Sequence, residues 1–464
     1  MTPPRGGEAE LQPPRPSQWS CDVLVVGGGP AGAAAAYWLA SSGIDVLVVE
    51  KKHYPRQKTC GDGLTPRSVH QLEQMGLADE LAPHHRYKGL RANAYGRAIA
   101  MSWPEHPELP SHGYVVTRAD LDGLVAARAE KAGAVIWQGA EAVAPLSEPA
   151  SSGDAGSAGF SGDGGDSGDG GAAGPPRSSG PVHPAGGAVV TDRARVTTTE
   201  VRARYVIVAD GSLSRFGRAL GTSRNRDWPQ GMALRGYYRS PRHAEEYIDS
   251  FLDIRDASGK VVPGYGWIFP LGDGRVNVGV GLLSTQGKWK NVNTSKLMDA
   301  FIAQAPASWC LGPETCCGPP TGGRLPMGLA VGPRVGPDWI AAGDSAGVIN
   351  PFNGEGIAYA YETGRLAAAA VSDALGAGDP RLLASYEASL QEIYGMYYRV
   401  ARAFIGVLSR PGLMRLFVNT GIYSRPVMEF LLRIMGNYLR PDELGAAEAV
   451  YGTIAAVARR LPEP

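Results

Sequence analysis

The chain has 464 residues, 44% of them apolar and 19% charged, with Lys+Arg and Asp+Glu balanced at 45 each. A chain this long outgrows one ordinary core, so two or three packed regions are expected, and zero net charge gives no general pull toward nucleic acid. No run of 18 or more apolar residues occurs, so the sequence offers no candidate for a membrane-spanning helix.

Residues 1–20, MTPPRGGEAELQPPRPSQWS, lack the apolar core of a secretion signal and read as a disordered tail. Five cysteines in a long chain without such a signal argue for a reducing cytoplasm. Cys310, Cys316 and Cys317 have no histidine close enough for a zinc cluster, so they read as loop thiols or as a disulfide involving Cys310; no metal site is expected.

Residues 21–52, CDVLVVGGGPAGAAAAYWLASSGIDVLVVEKK, have the order strand, tight turn, helix, strand. Val23–Val26 is a continuous apolar run, as a buried parallel strand requires; residues 33–40 form an alanine-rich helix and 45–50 the second strand. Gly27, Gly29 and Gly32 make G-x-G-x-x-G in the turn. The first permits the turn, the second lets the backbone approach a pyrophosphate, and the third lets the helix pack on the strand. Pro30 and Ala31 open that helix, whose N-terminus faces the phosphates. Glu50 ends the second strand, eighteen residues after Gly32, placed to accept from a ribose, with Lys51 beside it as a further cofactor candidate.

The loop that follows, KTCGDGL at 58–64, places Cys60 and Gly61 in a flexible polar setting where a packing thiol gains little. Asp62 is a candidate proton donor, although carboxylates in Gly-Asp-Gly turns usually serve the turn. Two strand-like stretches, 135–143 and 188–198, bracket a segment of Gly, Ser, Asp, Ala and Pro at about 148–187. Such a segment cannot bury enough apolar surface to offset its ordering entropy. It reads as a disordered expansion of a hairpin loop, or else as a linker. Residues 202–221 hold a buried strand ending in Asp210-Gly211, and 229–330 are β-rich. Within them PGYGWIFPLGDG alternates Tyr265, Trp267 and Phe269, so on a strand all three face one way, as an aromatic wall over a ligand or as a core face.

A further strand ends in Gly343-Asp344, and a glycine-rich turn opens a helix at about 355. Asp344 is placed to hold a ribityl hydroxyl, and the N–H groups of Gly354, Gly356 and Ile357 to face a flavin pyrimidine edge. From there the chain is helical. Residues 399–440 hold seven arginines and one acid, Glu429, among apolar side chains. That pattern suits a surface dipping into an anionic membrane, or helices packing on the protein's own core.

GGGPAG, ADGSLSR and AAGDSAGVINPFNGEGI, in this order, resemble the flavoprotein superfamily of aromatic hydroxylases, tryptophan halogenases and geranylgeranyl reductases. The resemblance runs from about Cys21 to the mid-370s outside the glycine insertion. It implies noncovalent FAD and an arginine approaching the flavin, here Arg118 in VVTRADLDGLV. The implied fold is α/β: an FAD-binding doubly wound (Rossmann-like) domain of the aromatic-hydroxylase type from 21–228 and 331–376, a β-rich substrate domain at 229–330, and a helical region at 377–464. KTCGDGL is similar to the geranylgeranyl reductase loop in which a cysteine lies near the isoalloxazine, and GYGWIFP to their Tyr-x-Trp-x-Phe-Pro segment. Halogenases carry Trp-x-Trp-x-Ile-Pro and a catalytic lysine, so Tyr265 and Phe269 count against that branch. Together with GGRLPMG and CGDGLTPR, these segments look most like actinobacterial menaquinone reductases, which saturate an isoprene unit in the menaquinone tail.

The resemblance therefore implies hydride transfer from reduced FAD to a trisubstituted alkene, with a proton from the opposite side. Tyr265 and Trp267 would stabilise carbocation character by cation–π attraction. Cys60 or a water beside it is the candidate acid, and an ordinary thiol pKa makes a positional role the alternative. The expected partners are a menaquinone-like polyprenyl lipid, an electron donor that the sequence does not identify, and, through 399–440, peripheral contact with the cytoplasmic side of the cell membrane. The competing functions are an FAD monooxygenase acting on an aromatic or apolar small molecule, and a protein whose FAD is structural.

Overall fold

A computed structural model of the chain describes residues 15–146, 185–283, 292–408, 424–439 and 446–460. Most of the expected tail, nearly all of the glycine-rich insertion, and residues 409–423 and 440 of the arginine-rich stretch lie outside the described residues.

The first sheet is built on Gln18–Val26, which pairs in parallel with Val46–Glu50 on one side and Thr197–Val208 on the other. Val135–Gln138 extends it beyond Val46–Glu50, and Trp339–Ala341 joins Thr197–Val208, both in parallel. Strands covered on both faces need continuous apolar runs; Val23, Leu24, Val25, Leu47, Val48, Val206, Ile207 and Val208 are fully buried. Helix Pro30–Ser41 packs against Arg118–Lys131 and Ile357–Ala377. Its alanines make the close approach possible, and a Cβ on Gly364 would stand 2.3 Å from the Ala31 carbonyl.

The second sheet has seven strands, in the order Thr321–Pro326, Gln230–Arg239, Arg275–Leu283, Gly264–Pro270, Tyr247–Phe251, Gly89–Ala94 and Arg97–Ser102. Alternation sorts its two faces. Ile268, Val276, Val278, Val280 and Leu282 pack with Phe301 of helix Thr294–Gln304 into a core. Tyr265, Trp267, Phe269, Asn277 and Gly279 take the opposite face.

Several sequence expectations are corrected. Gln18–Ser20 belong to the first strand rather than to a tail; Glu200 N–H donates to the Ser17 carbonyl (2.9 Å) and Arg15 pairs with Asp192 (3.1 Å). The stretch 135–143 is two strands: Gly139, at φ +69°, turns the chain out of the parallel sheet, so that Ala140–Pro145 pairs antiparallel with Gly187–Asp192. The strands flanking the insertion are thus neighbours. Ala185–Gly187 are held in place, since Asp338 accepts from the N–H groups of Ala185 and Gly186 (2.8 and 2.6 Å). The β-rich unit is not confined to 229–330, because residues 89–102 supply two of its strands.

Beyond Ala377 the described chain is helical, with Ala384–Leu390, Met396–Leu408, Arg425–Met435 and Ala446–Arg460. Among the described residues no helix is long and apolar enough to cross a membrane.

Candidate active site

The two sheets enclose a cavity of about 840 Å³, near the upper end for small-molecule sites. One end is bounded by Gly29–Ala31, Ala209, Gly211–Leu213, Asp344 and Gly354–Ile357. Gly27 sits at φ +102°, and a Cβ there would be 2.4 Å from the Ala209 carbonyl; one on Gly32 would be 1.8 Å from the Gly27 carbonyl. Neither position admits a side chain, which seats the turn between strand and helix. Helix Pro30–Ser41 starts at Gly29 and helix Ile357–Ala377 at Gly356, and neither has a side-chain cap. Two uncapped N-termini at one cavity leave backbone N–H groups and dipole ends for negative charge. This arrangement fits a dinucleotide pyrophosphate and the electron-rich edge of a flavin, so the residues present fit FAD.

The other cofactor candidates divide. Glu50 is buried, and its carboxylate already accepts from Gly28 N–H (2.9 Å) and Lys52 N–H (3.0 Å), which fixes its orientation and leaves lone pairs for a ribose. Lys51 is exposed and away from the cavity wall. Asp344 lines the cavity with Lys58 Nζ on its Oδ2 at 3.0 Å. Gly354 N–H is not free: it donates to the Asn350 carbonyl (2.9 Å), so the N–H groups at the helix N-terminus are those of Gly356 and Ile357. Arg118 reaches the wall buried, its guanidinium forked onto Asp122 (2.8 and 2.9 Å). Burial, the largest single influence, opposes its charge, but Asp122 together with the nearby Cys60 and Tyr361 more than offsets it and holds the arginine a cation.

Under the cysteine loop lies a polar network that the sequence reading underrated. Asp62, at φ +64° and fully buried, accepts from Tyr237 Oη (2.5 Å), Asn277 Nδ2 (2.7 Å) and Arg118 N–H (3.3 Å). The same Asn277 amide donates to the Cys60 carbonyl (2.9 Å), while its oxygen accepts from Trp267 Nε1 (2.9 Å). Asp62 therefore does more than shape a turn: through Asn277 it positions the indole. Burial pushes the Cys60 thiol up, against the pull of Arg118, and pushes Asp62 up as well. Asn277 had a sequence signal, a lone amide in the otherwise apolar strand RVNVGVGLL. Tyr237 had none. Glu355, between Gly354 and Gly356 on the cavity wall, was also passed over.

Tyr265, Trp267 and Phe269 form a continuous wall, with ring centroids 5.7 and 6.3 Å apart. They face the cavity, not the core. Tyr265 Oη donates to the Asn353 carbonyl (2.9 Å), and burial lifts this phenol to about 12. The wall continues as an apolar channel past Tyr87, Met101 and Trp103 to Met428, Leu431 and Leu432 of helix Arg425–Met435. A long apolar chain would bury its length there at about 25 cal/mol per Å².

Fold and site together define an FAD-dependent oxidoreductase with an apolar substrate channel. Residues 20–152 match the family described as "FAD binding domain", and 243–309 the "Geranylgeranyl reductase catalytic domain". The chain belongs to the geranylgeranyl reductase family, and in particular to its menaquinone reductases. It is 36% identical to the menaquinone reductase of Mycolicibacterium smegmatis, over 95% of this chain and 98% of that protein. It is 37% identical to that of Mycobacterium tuberculosis, over 91% and 93%. Among solved structures, a geranylgeranyl bacteriochlorophyll reductase-like protein from Thermoplasma acidophilum superposes with a TM-score of 0.68 at 23% identity, covering 94% of this chain and all of that one; at that identity the likeness speaks for the fold.

Proposed function

We propose that the protein saturates an isoprene double bond in the tail of a menaquinone. The observation that carries this reading is the orientation of the aromatic row: Tyr265, Trp267 and Phe269 turn away from the apolar core of their own sheet and line a cavity that opens into an apolar channel. Bound FAD, once reduced, supplies a hydride. The chain's own residues do the rest. Tyr265 and Trp267 face developing positive charge with their π systems, and the channel keeps water from capturing it. Asn277 and Asp62 lock the indole, and Cys60 takes a place in that framework, its thiol accepting from Asp62 N–H (3.4 Å).

The lipid enters, in this proposal, past helix Arg425–Met435, which turns Met428, Leu431 and Leu432 inward and leaves Val427 41% exposed beside Arg425. Arg425 is paired with Glu429 (2.9 Å), so the exposed Val427 and the arginine excess of the 399–440 sequence are what support peripheral contact with the cytoplasmic face of an anionic membrane.

The test is anaerobic. Protein reduced with dithionite is given menaquinone in detergent, and the extracted quinone is reoxidised in air and weighed by mass spectrometry against a flavin-free control. A tail heavier by two hydrogens is expected. An unchanged tail, with oxygen added to an aromatic acceptor in air, would replace the reading with a monooxygenase.

A further inference from the structure

We propose that Glu355 is the acid that protonates the alkene, an assignment that rests on prenyl reduction being the reaction. Glu355 lines the cavity that holds Cys60, Tyr265 and Trp267. Tyr265 clamps its loop by donating to the Asn353 carbonyl (2.9 Å), and a Cβ on Gly354 would lie 3.0 Å from the Tyr265 hydroxyl. The acid loop and the aromatic wall are therefore in contact.

The surroundings of the carboxyl suit an acid. Oε1 accepts from the hydroxyls of Thr65 and Ser68 (the latter at 3.4 Å), and Oε2 is buried with no partner among the described residues. No N–H group donates to it among the described contacts, and a carboxyl so placed gains by keeping its proton. The charged and titratable groups around it come from four segments. Arg67, on helix Pro66–Gln74, favours the carboxylate, but its guanidinium is forked onto Glu362 of helix Ile357–Ala377 (2.8 and 2.9 Å). Glu362 itself opposes a second negative charge. Tyr359 of the same helix, Tyr87 and Tyr438 complete the surroundings. Burial is the largest influence and lifts the group to about 7, against the pull of Thr65 and Arg67.

The alternatives are weaker. Asp62 accepts three hydrogen bonds, two of them from N–H groups that cannot turn round to accept. The Cys60 thiol is a poor acid made poorer by burial. The step balances: the π pair of the alkene would form a C–H bond with the Glu355 proton, the second carbon would take the hydride that anionic reduced FAD supplies on becoming neutral oxidised FAD, and a proton from solvent would reload the carboxylate.

Glu355→Gln keeps size and polarity and removes the proton. Two measurements on the FAD-loaded protein test it. In infrared spectra of the oxidised enzyme, a deuterium-sensitive carboxylic C=O band titrating near pH 7 is expected in the wild type and absent in the variant. In anaerobic single turnovers, the variant should reoxidise about 100-fold more slowly or worse on menaquinone, with Glu355→Asp recovering part of the rate. The wild-type rate should fall as pH rises through the same value. Reoxidation of E355Q within about threefold of wild type, persistence of the infrared band, or a pH limb lost in Asp62→Asn and kept in E355Q would overturn the assignment. A wild type that reduces no tail at all would overturn the reaction beneath it, and the infrared titration tells the two failures apart.

Discussion

Gly279 faces Trp267 across the strand pair, and the aromatic wall depends on its lack of a side chain. A Cβ at 279 would stand 2.1 Å from Trp267 Cζ2 and 2.5 Å from Cε2. Carbon atoms rest at about 3.5–4.0 Å, so Gly279→Ala must push the ring by more than an ångström. The indole cannot move that far and keep its 2.9 Å bond to Asn277, whose amide is fully buried. Overpacking costs about 1–3 kcal/mol and a stranded buried acceptor a further 1–3, so a loss of about 2–6 kcal/mol is expected. Urea unfolding of the FAD-loaded protein measures it, and the anaerobic mass assay reports tail reduction on the same sample. Tail reduction should collapse while the flavin spectrum stays that of wild type. Gly376→Ala is the control: it is exposed near the end of a helix with nothing within 4 Å of its added Cβ, and should stabilise by up to about 1 kcal/mol. A Gly279→Ala protein within about 0.5 kcal/mol of wild type, reducing tails at the normal rate, would refute the claim that Trp267 is held where it works.

Three further outcomes are expected. Asp344→Ala should purify colourless or lose flavin on gel filtration, read from the absorbance ratio, because it removes a carboxylate at the flavin end of the cavity. Cys60→Ser should slow tail reduction less than about tenfold, since its burial-raised thiol serves position rather than proton transfer; a loss as deep as that of E355Q would return Cys60 to the chemistry. Glu387→Gln tests linkage. Burial, the largest single influence, opposes the carboxylate charge, yet Arg334, through its two hydrogen bonds (2.5 and 2.8 Å) and its charge, together with Gln391 holds the pKa below the ordinary 4.5. A depressed folded-state pKa stabilises above the unfolded value and ceases to as pH falls through the folded one. The variant should therefore unfold about 1 kcal/mol more easily at neutral pH, and the difference in urea midpoint should close below pH 4.5.

The parts of the fold legible in the sequence are those written in short periods. The glycine spacing at 27–32, the apolar runs of the parallel strands and the alternation of Tyr265, Trp267 and Phe269 each depend on neighbours a few positions away. The aromatic row still left two faces open, and only the partner strand, with Val276, Val278 and Val280 on one side and Asn277 and Gly279 on the other, decides between them. What escaped depends on distant partners. Asp62 meets Tyr237 and Asn277 across separations of 175 and 215 residues. Strands 89–94 and 97–102 belong to a sheet completed more than a hundred residues later, and nothing local distinguishes them from the domain around them. Glu355 carries no local signal within the glycine-rich turn, because its hydroxyl partners, Thr65 and Ser68, lie 290 and 287 positions away.

The loop NPFNGE explains why so many polar residues stand in one short motif. The Asn350 amide nitrogen, with two hydrogens to share, lies 3.0 Å from each of the Tyr359 hydroxyl, the Tyr397 hydroxyl and the Met435 carbonyl. Asn353 donates to the same carbonyl at 3.1 Å and accepts from Tyr265 through its own. Together they satisfy the C-terminal end of helix Arg425–Met435, whose last carbonyls have no helical partner. That helix carries the channel residues Met428, Leu431 and Leu432. One turn thus joins the flavin-side helix, the aromatic wall and the tail channel, and it places Glu355 at their junction. On the opposite side, Asn277 joins Cys60 to Trp267. The wall is thus fastened to both loops of the flavin end, Tyr265 to the loop of Glu355 and Trp267 to the loop of Cys60, so if a double bond rests on Trp267 as proposed, the hydrogen bonds that hold the indole also set its position relative to both loops.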